Sequence, residues 1–189
     1  MKVRWLGNAA LEVFSEKHIL IDPNLKVEPE KKPDLILLTH EHDDHFSLED
    51  YRKYGKDAEL YGPEKTLDKF DLKGNIVKVG DEIEVVKVLD CDCYGSDDSV
   101  SYFVNGLLHA GDSAYFPEVD EKVNAIFTAC FSDYYDDYLE AFERLKPDIV
   151  VPFHYDPKED IDDAEGLKKR MDEEGIYNKM LELGDHIEI

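Results

Sequence analysis

The chain has 189 residues, 42% of them hydrophobic and 35% charged, enough apolar material for a sizeable core and too much for a disordered segment. Its 45 Asp and Glu against 22 Lys and Arg leave a net charge of −23, a field that repels phosphate backbones and anionic lipid, so nucleic-acid and membrane partners are not expected. No apolar run reaches the roughly 18 residues of a membrane span, and Met1–Trp5 does not read as a signal peptide; a cytoplasmic location is expected.

Neither an internal repeat nor a low-complexity linker divides the chain, so one domain over 1–189 is expected. Val3 to Leu6 is strand-like and stops at Gly7-Asn8. Ala10 to Phe14 and His18 to Ile21 read as a hairpin that ends at the turn signal Asp22-Pro23-Asn24. Asp34 to Thr39 is a continuous apolar run of the length of a buried strand. Ser47-Leu48-Glu49-Asp50 opens a helix with a capping pattern, and a short helix is predicted from Glu64 to Phe70 after Pro63. Strands are then predicted at Ile76–Val79, Ile83–Leu89, Val100–Val104 and Leu107–Ala110, the last two joined by the hairpin signal Asn105-Gly106. Ala125–Ala129 and Ile149–Phe153 are further buried strands, and helices are predicted over Tyr134–Leu145 and Ile161–Glu174. The acidic aromatic stretch Ser132–Tyr138 reads as a solvated helix start that can also rim a pocket. Strands outnumber helices, a pattern of mixed sheets with helices packed outside, in the α+β class.

The chemistry concentrates after the Asp34–Thr39 strand, in Thr39-His40-Glu41-His42-Asp43-Asp44-His45. Three of the chain's seven His fall within these residues, beside several carboxylates. Imidazole nitrogen and carboxylate oxygen are the donors that Zn²⁺, Fe and Mn²⁺ accept. One loop cannot close a metal site. Two other strand ends offer donors, Asp112 in His109-Ala110-Gly111-Asp112 and His154 in Pro152-Phe153-His154-Tyr155. Each alone reads as a turn, a cap or a surface group; the argument is their convergence.

The H-x-H-x-D-H pattern of His40, His42, Asp44 and His45, the later Gly111-Asp112, and Phe153-His154-Tyr155 resemble the metallo-β-lactamase superfamily. Trp5-Leu6-Gly7-Asn8 and Ile21-Asp22-Pro23 are similar to its opening hairpins, so the likeness runs from Met1 to about Tyr155. Within the superfamily the short chain looks most like the branch of L-ascorbate-6-phosphate lactonase and related metal-dependent hydrolases. The resemblance implies a four-layer αββα sandwich of two mixed sheets with outer helices and one or two Zn²⁺ ions, or Mn²⁺ or Fe, along one edge. It implies one ion at His40, His42 and a middle-loop His, another at Asp44, His45 and His154, and Asp112 bridging them. Asp44 and Asp112 would then be the catalytic carboxylates. A metal-activated hydroxide would attack a small ester, lactone, amide or phosphoester. Tyr155 and His109 flank the ligands and are candidates for substrate contact.

Two departures stand out. The middle-loop His is missing, and the stretch in its place offers Cys91, Asp92 and Cys93, whose thiols and carboxylate are competent ligands. Asn8 stands where the family pattern has a His after Gly. The first departure keeps a second reading open, a non-catalytic or single-metal binding or sensing protein that keeps the fold. A diiron oxidoreductase is disfavoured by His42, where such relatives carry Glu. Three cysteines make no disulfide framework, so reduced thiols are expected.

Overall fold

Side-chain alternation in the first strands sorts residues to two faces. Val3 and Trp5, Leu11 and Val13, Ile19 and Ile21, and Leu35 and Leu37 enter one large buried cluster; their neighbours Leu6, Ala10, Leu20, Ile36 and Leu38 enter a smaller one. A strand with two apolar faces must be covered on both, and that requirement sets the layers.

The protein, described over residues 1–189 by a computed structural model, places these strands in a mixed sheet. An antiparallel meander of β1 (Lys2–Gly7), β2 (Ala10–Phe14) and β3 (His18–Ile21) continues in parallel through β4 (Leu35–Leu37), β5 (Glu59–Gly62) and β6 (Asn75–Ile76). The last strand of the chain, β13 (His186–Glu188), adds antiparallel to β1. A second mixed sheet runs in the order β12-β11-β10-β9-β8-β7, from β7 (Glu82–Ile83), β8 (Val86–Asp90), β9 (Val100–Val104), β10 (Leu107–His109), β11 (Ala125–Thr128) and β12 (Ile149–Pro152).

The larger cluster fills the space between the sheets and extends to α3 (Tyr135–Leu145) and α4 (Ile161–Glu173) through Tyr138, Phe142, Ala164 and Leu167. On the far side of the first sheet, α1 (Leu48–Asp50), a wide turn over Tyr51–Gly55 and α2 (Glu64–Lys69) cover the smaller cluster. The result is a four-layer αββα sandwich. Ser47 caps α1 as its pattern predicts, accepting from the Asp50 amide at 3.2 Å.

Three elements differ from expectation. The predicted strand Ile83–Leu89 is a hairpin that reverses at Glu84, whose φ of 52° is a left-handed conformation without a glycine to signal it. Of Ile76–Val79, only Ile76 joins a strand, together with Asn75. The pairing of β13 with β1 joins opposite ends of the chain and has no local signal.

Topology brings the donors to one edge. Strands β10, β11 and β12 are parallel, so their C-terminal ends open on the same side. The loop after β4 is tied to the second sheet there: the Val100 amide donates to Thr39 O at 3.0 Å, and the Tyr102 hydroxyl donates to Leu38 O at 2.7 Å.

Candidate metal centre

Seven potential ligand atoms meet at this edge in two groups, His40, His42, Cys93 and Asp112, and Asp44, His45 and His154; within each group the atoms lie within 4.8 Å of one another. Asp112 joins the groups. Its Oδ2 lies 3.3 Å from His40 Nε2 and 3.7 Å from His42 Nδ1, while its Oδ1 lies 2.8 Å from His45 Nε2 and 3.1 Å from His154 Nε2.

Local backbone delivers each donor. Gly111 holds a φ of 59° and turns the chain so that Asp112 enters the site; a Cβ there would press on Cys91 Sγ at 3.3 Å. His154 itself sits at φ 61°, with its amide bonded to Asn8 O at 2.9 Å. A non-glycine residue in this region is strained unless its surroundings hold it, and such strain concentrates at functional sites.

Behind the donors lies a residue that motif spacing did not single out. Asp22, wholly buried at the end of the apolar β3, accepts from the Thr39 amide at 2.7 Å and from the Thr39 hydroxyl at 2.6 Å. It also accepts from His45 Nδ1 at 2.8 Å. His40 Nδ1 in turn donates to Thr39 Oγ1 at 3.0 Å. This network puts a ring proton of His40 and of His45 on Nδ1 and leaves the His40 Nε2 lone pair facing the site, while His45 Nε2 faces Asp112 Oδ1 at 2.8 Å; a histidine backed in this way by a carboxylate is the arrangement of a metal ligand. In the sequence Asp22 shows as a turn residue and within the Ile21-Asp22-Pro23 likeness, with no role at the donors; the signal that could have found that role is a carboxylate terminating an Ile-Leu-Ile strand.

The electrostatics are those of a site built for cations. Burial alone would raise Asp112, but the charges of His45 and His154 hold it well below the usual carboxylate range. Burial alone would lower His45, but Asp112 and Asp22 raise it well above the usual imidazole value. Burial lowers His40, so its imidazole is neutral. Asp44 is held low, first by its hydrogen bond with His154.

The donor set fits a metal ion. His40 Nε2 is buried, has no hydrogen-bond partner and points into the group. An unsatisfied buried nitrogen costs about 1–3 kcal/mol, which coordination would offset. Oxygen, nitrogen and sulfur donors in this combination are those of zinc and related ions.

Of the three residues that stand in place of the middle-loop His, only Cys93 reaches the donor groups, with Sγ 3.9 Å from His42 Nδ1 and 3.7 Å from Asp112 Oδ2. Cys91 turns its thiol to Ala110 O at 3.5 Å, and Asp92 lines the cavity outside the group. Neither His109 nor Tyr155, the candidates for substrate contact, lines the cavity beside the donors. His109 is fully buried, its Nε2 bonded to Ala9 O at 2.9 Å and its Nδ1 accepting from the Gly111 amide at 3.2 Å. Tyr155 is buried, packs on Trp5 with ring centroids 4.9 Å apart, and lines a different cavity together with Pro157 and Ile161.

Above the donors opens a cavity of about 700 Å³, with His42, Asp44, Asp112 and His154 in its wall. Phe116, Phe131 and Tyr134 provide apolar surface, and Asp137 of the acidic stretch also lines it. Its one Arg, Arg144, is engaged by Glu118 at 2.8 Å and Phe116 O at 2.7 Å.

A four-layer sandwich with histidine and carboxylate donors on one edge defines the metallo-β-lactamase fold and its metal-handling class. A family model described as the beta-lactamase superfamily domain matches residues 2–124, and the chain belongs to that superfamily. A UPF0173 protein of Pyrococcus furiosus is 31% identical, covering 94% of this chain and 93% of the relative. A UPF0173 metal-dependent hydrolase of Thermoplasma acidophilum is 29% identical, covering 100% of this chain and 99% of the relative. The solved structure of a metallo hydrolase from the archaeon Ignicoccus hospitalis shares the fold with a TM-score of 0.76 at 22% identity, covering 98% of this chain and 97% of that one. These likenesses place the chain in the superfamily beside relatives that are named metal-dependent hydrolases. The names specify no substrate and lend no support to the lactonase branch in particular. No helix of the protein is long and apolar enough to cross a membrane.

Proposed function

We propose that the protein hydrolyses a small ester, lactone, amide or phosphoester at a two-ion centre. His40 and His42 would hold one ion, Asp44, His45 and His154 the other, with Asp112 between them. When bound, divalent ions act as Lewis acids and lower the pKa of bound water to near 7.

The observation that carries this reading is the division of Asp112: one carboxylate oxygen faces each donor group, on the wall of a cavity of about 700 Å³. That size suits a small molecule. In this reading Asp112 sets the spacing of the two groups. Asp44, which lines the cavity and stays ionised, accepts a hydrogen bond from the attacking water and orients it. Water oxygen then bonds to the carbonyl carbon or phosphorus, the bond to the leaving oxygen or nitrogen breaks, and the leaving group departs with a proton. Phe116 and Phe131 exclude bulk water from one side of the substrate. Cys93, within reach of the first group, weakens the case for a single-ion sensor, which rested on the missing middle His.

Elemental analysis combined with a panel of lactones, esters, amides and phosphodiesters tests the proposal. Two equivalents of metal and chelator-sensitive turnover are expected. A fully loaded protein inert across the panel would sink it.

A further inference from the structure

We infer that Cys93 is a thiolate ligand of the first ion, so that the two sites differ in kind: a sulfur-containing site that selects zinc and an all-nitrogen-and-oxygen site that exchanges its metal. This rests on the metal-centre reading above.

Spacing supports it first. Donors about 2.0–2.3 Å from an ion in tetrahedral geometry lie roughly 3.3–3.8 Å from one another. In the first group the separations are 3.3 Å for His40 to Asp112, 3.7 Å for His42 to Asp112, 3.7 Å for Cys93 to Asp112 and 3.9 Å for Cys93 to His42. The two nitrogen-to-oxygen distances are long for hydrogen bonds, the two to sulfur are within reach of a thiol hydrogen bond, and all four are near tetrahedral edges. His40 Nε2 provides an independent observation, being buried, without a partner and aimed into the same group.

The other thiols have different settings. Cys91 and Cys130 lie against backbone carbonyls, Ala110 O at 3.5 Å and Phe153 O at 3.4 Å. Cys93 also has a carbonyl near its sulfur, Tyr94 O at 3.7 Å, but it sits in a turn closed by the Ser96 amide on Cys93 O at 3.2 Å, which sets the sulfur beside His42 and Asp112 as well. On coordination the metal–sulfur bond forms and the S–H proton leaves to solvent. Thiolate is a soft donor that favours zinc among the available divalent ions, whereas imidazole and carboxylate accept zinc, manganese or iron.

X-ray absorption on the intact protein carrying one equivalent of zinc tests this without any variant. A zinc–sulfur shell at about 2.3 Å is expected. The cobalt-loaded protein should show a near-ultraviolet thiolate-to-cobalt band that survives in Cys91→Ala and vanishes in Cys93→His, which still binds metal. Cys93→Ala should weaken first-site affinity at least tenfold, about the lower bound for even an outer-sphere partner. Dialysis of the two-zinc protein against excess Mn²⁺ should exchange one equivalent and leave one. A shell of nitrogen and oxygen only, or a band that persists in Cys93→His, overturns the inference. If hydrolysis continues at two ions per chain in that case, the proposed function stands; a protein that takes up no metal removes both.

Discussion

The two donor groups share Asp112 yet are built differently. The first is spread: its contacts to Asp112 run from 3.3 to 3.7 Å, and His40 Nε2 bonds to nothing. The second is drawn together, with His45 and His154 at 2.8 and 3.1 Å from Asp112 and His154 at 3.1 Å from Asp44. Protons hold the second group at hydrogen-bond distance, because Asp112 and Asp22 raise the pKa of His45. The first contains a neutral His40 and keeps its lone pair free. The contrast teaches that one group is spaced for an ion by its backbone and releases the Cys93 proton on binding, while the other must release the protons that hold it closed. Binding at both groups should therefore weaken with falling pH. Titrations of each equivalent at several pH values would break this reading if either affinity proved independent of pH.

The largest effect should follow from Asp112→Ala, which removes a donor from both groups at once. Loss of both equivalents is expected, with turnover down by more than about 100-fold, beyond the range of an outer-sphere partner. His154→Ala should strip only the second group and leave one equivalent bound, as elemental analysis would read. If both variants lose the same single equivalent, Asp112 does not bridge.

Next comes Asp22→Asn, which acts from behind the ligands. The variant leaves His45 buried beside a neutral amide, so metal affinity should fall about 10–100-fold. The metal-free fold should lose about 3 kcal/mol, as when one partner leaves a buried ion pair. The sign of the pH dependence follows from the shift. Burial alone would raise Asp22, but His45 outweighs it and the folded value lies below 3.8. Its contribution is thus fully present above the unfolded value and is lost as pH falls through the folded one. His45 runs oppositely: its stabilisation is full below about 6.5 and fades as pH rises through its higher folded value. Thermal melts of metal-free protein should show stability falling below about pH 4, with a flatter acid limb in Asp22→Asn.

Much of this was legible because the donors sit at the ends of apolar runs. Leu35–Leu37, Leu107–His109 and Ile149–Pro152 are fully or largely buried strands, and their apolar runs end next to His40, Asp112 and His154. The third ligand of the first group was not legible. Alternation along an extended chain sends residues 91 and 93 to the same side, so period alone cannot separate Cys91 from Cys93; the Cys93–Ser96 turn does so. Asp22 was hidden for a different reason, since its partners Thr39 and His45 lie 17 and 23 residues away. The Glu84 reversal escaped because the usual Gly or Asn is absent.

The smallest expected effect tests how the second group is held. Asn8 stands where the family pattern has His, and it adopts φ 42°, which Asn tolerates better than most residues. Its carbonyl accepts from the His154 amide at 2.9 Å and from Trp5 Nε1 at 2.8 Å. The backbone, not the side chain, therefore positions His154. Asn8→Ala keeps that carbonyl but places a Cβ without a polar side chain in the left-handed region, a cost of about 1 kcal/mol. For a chain of this length the melting temperature should drop by about 2–4 °C. Asn8→Gly should drop less, because glycine enters this region freely. Both variants should retain the first equivalent of metal unchanged, while any loosening appears in the second. A shift confined to the first group would mean that the two groups are mechanically coupled through Asp112 more tightly than their spacing implies.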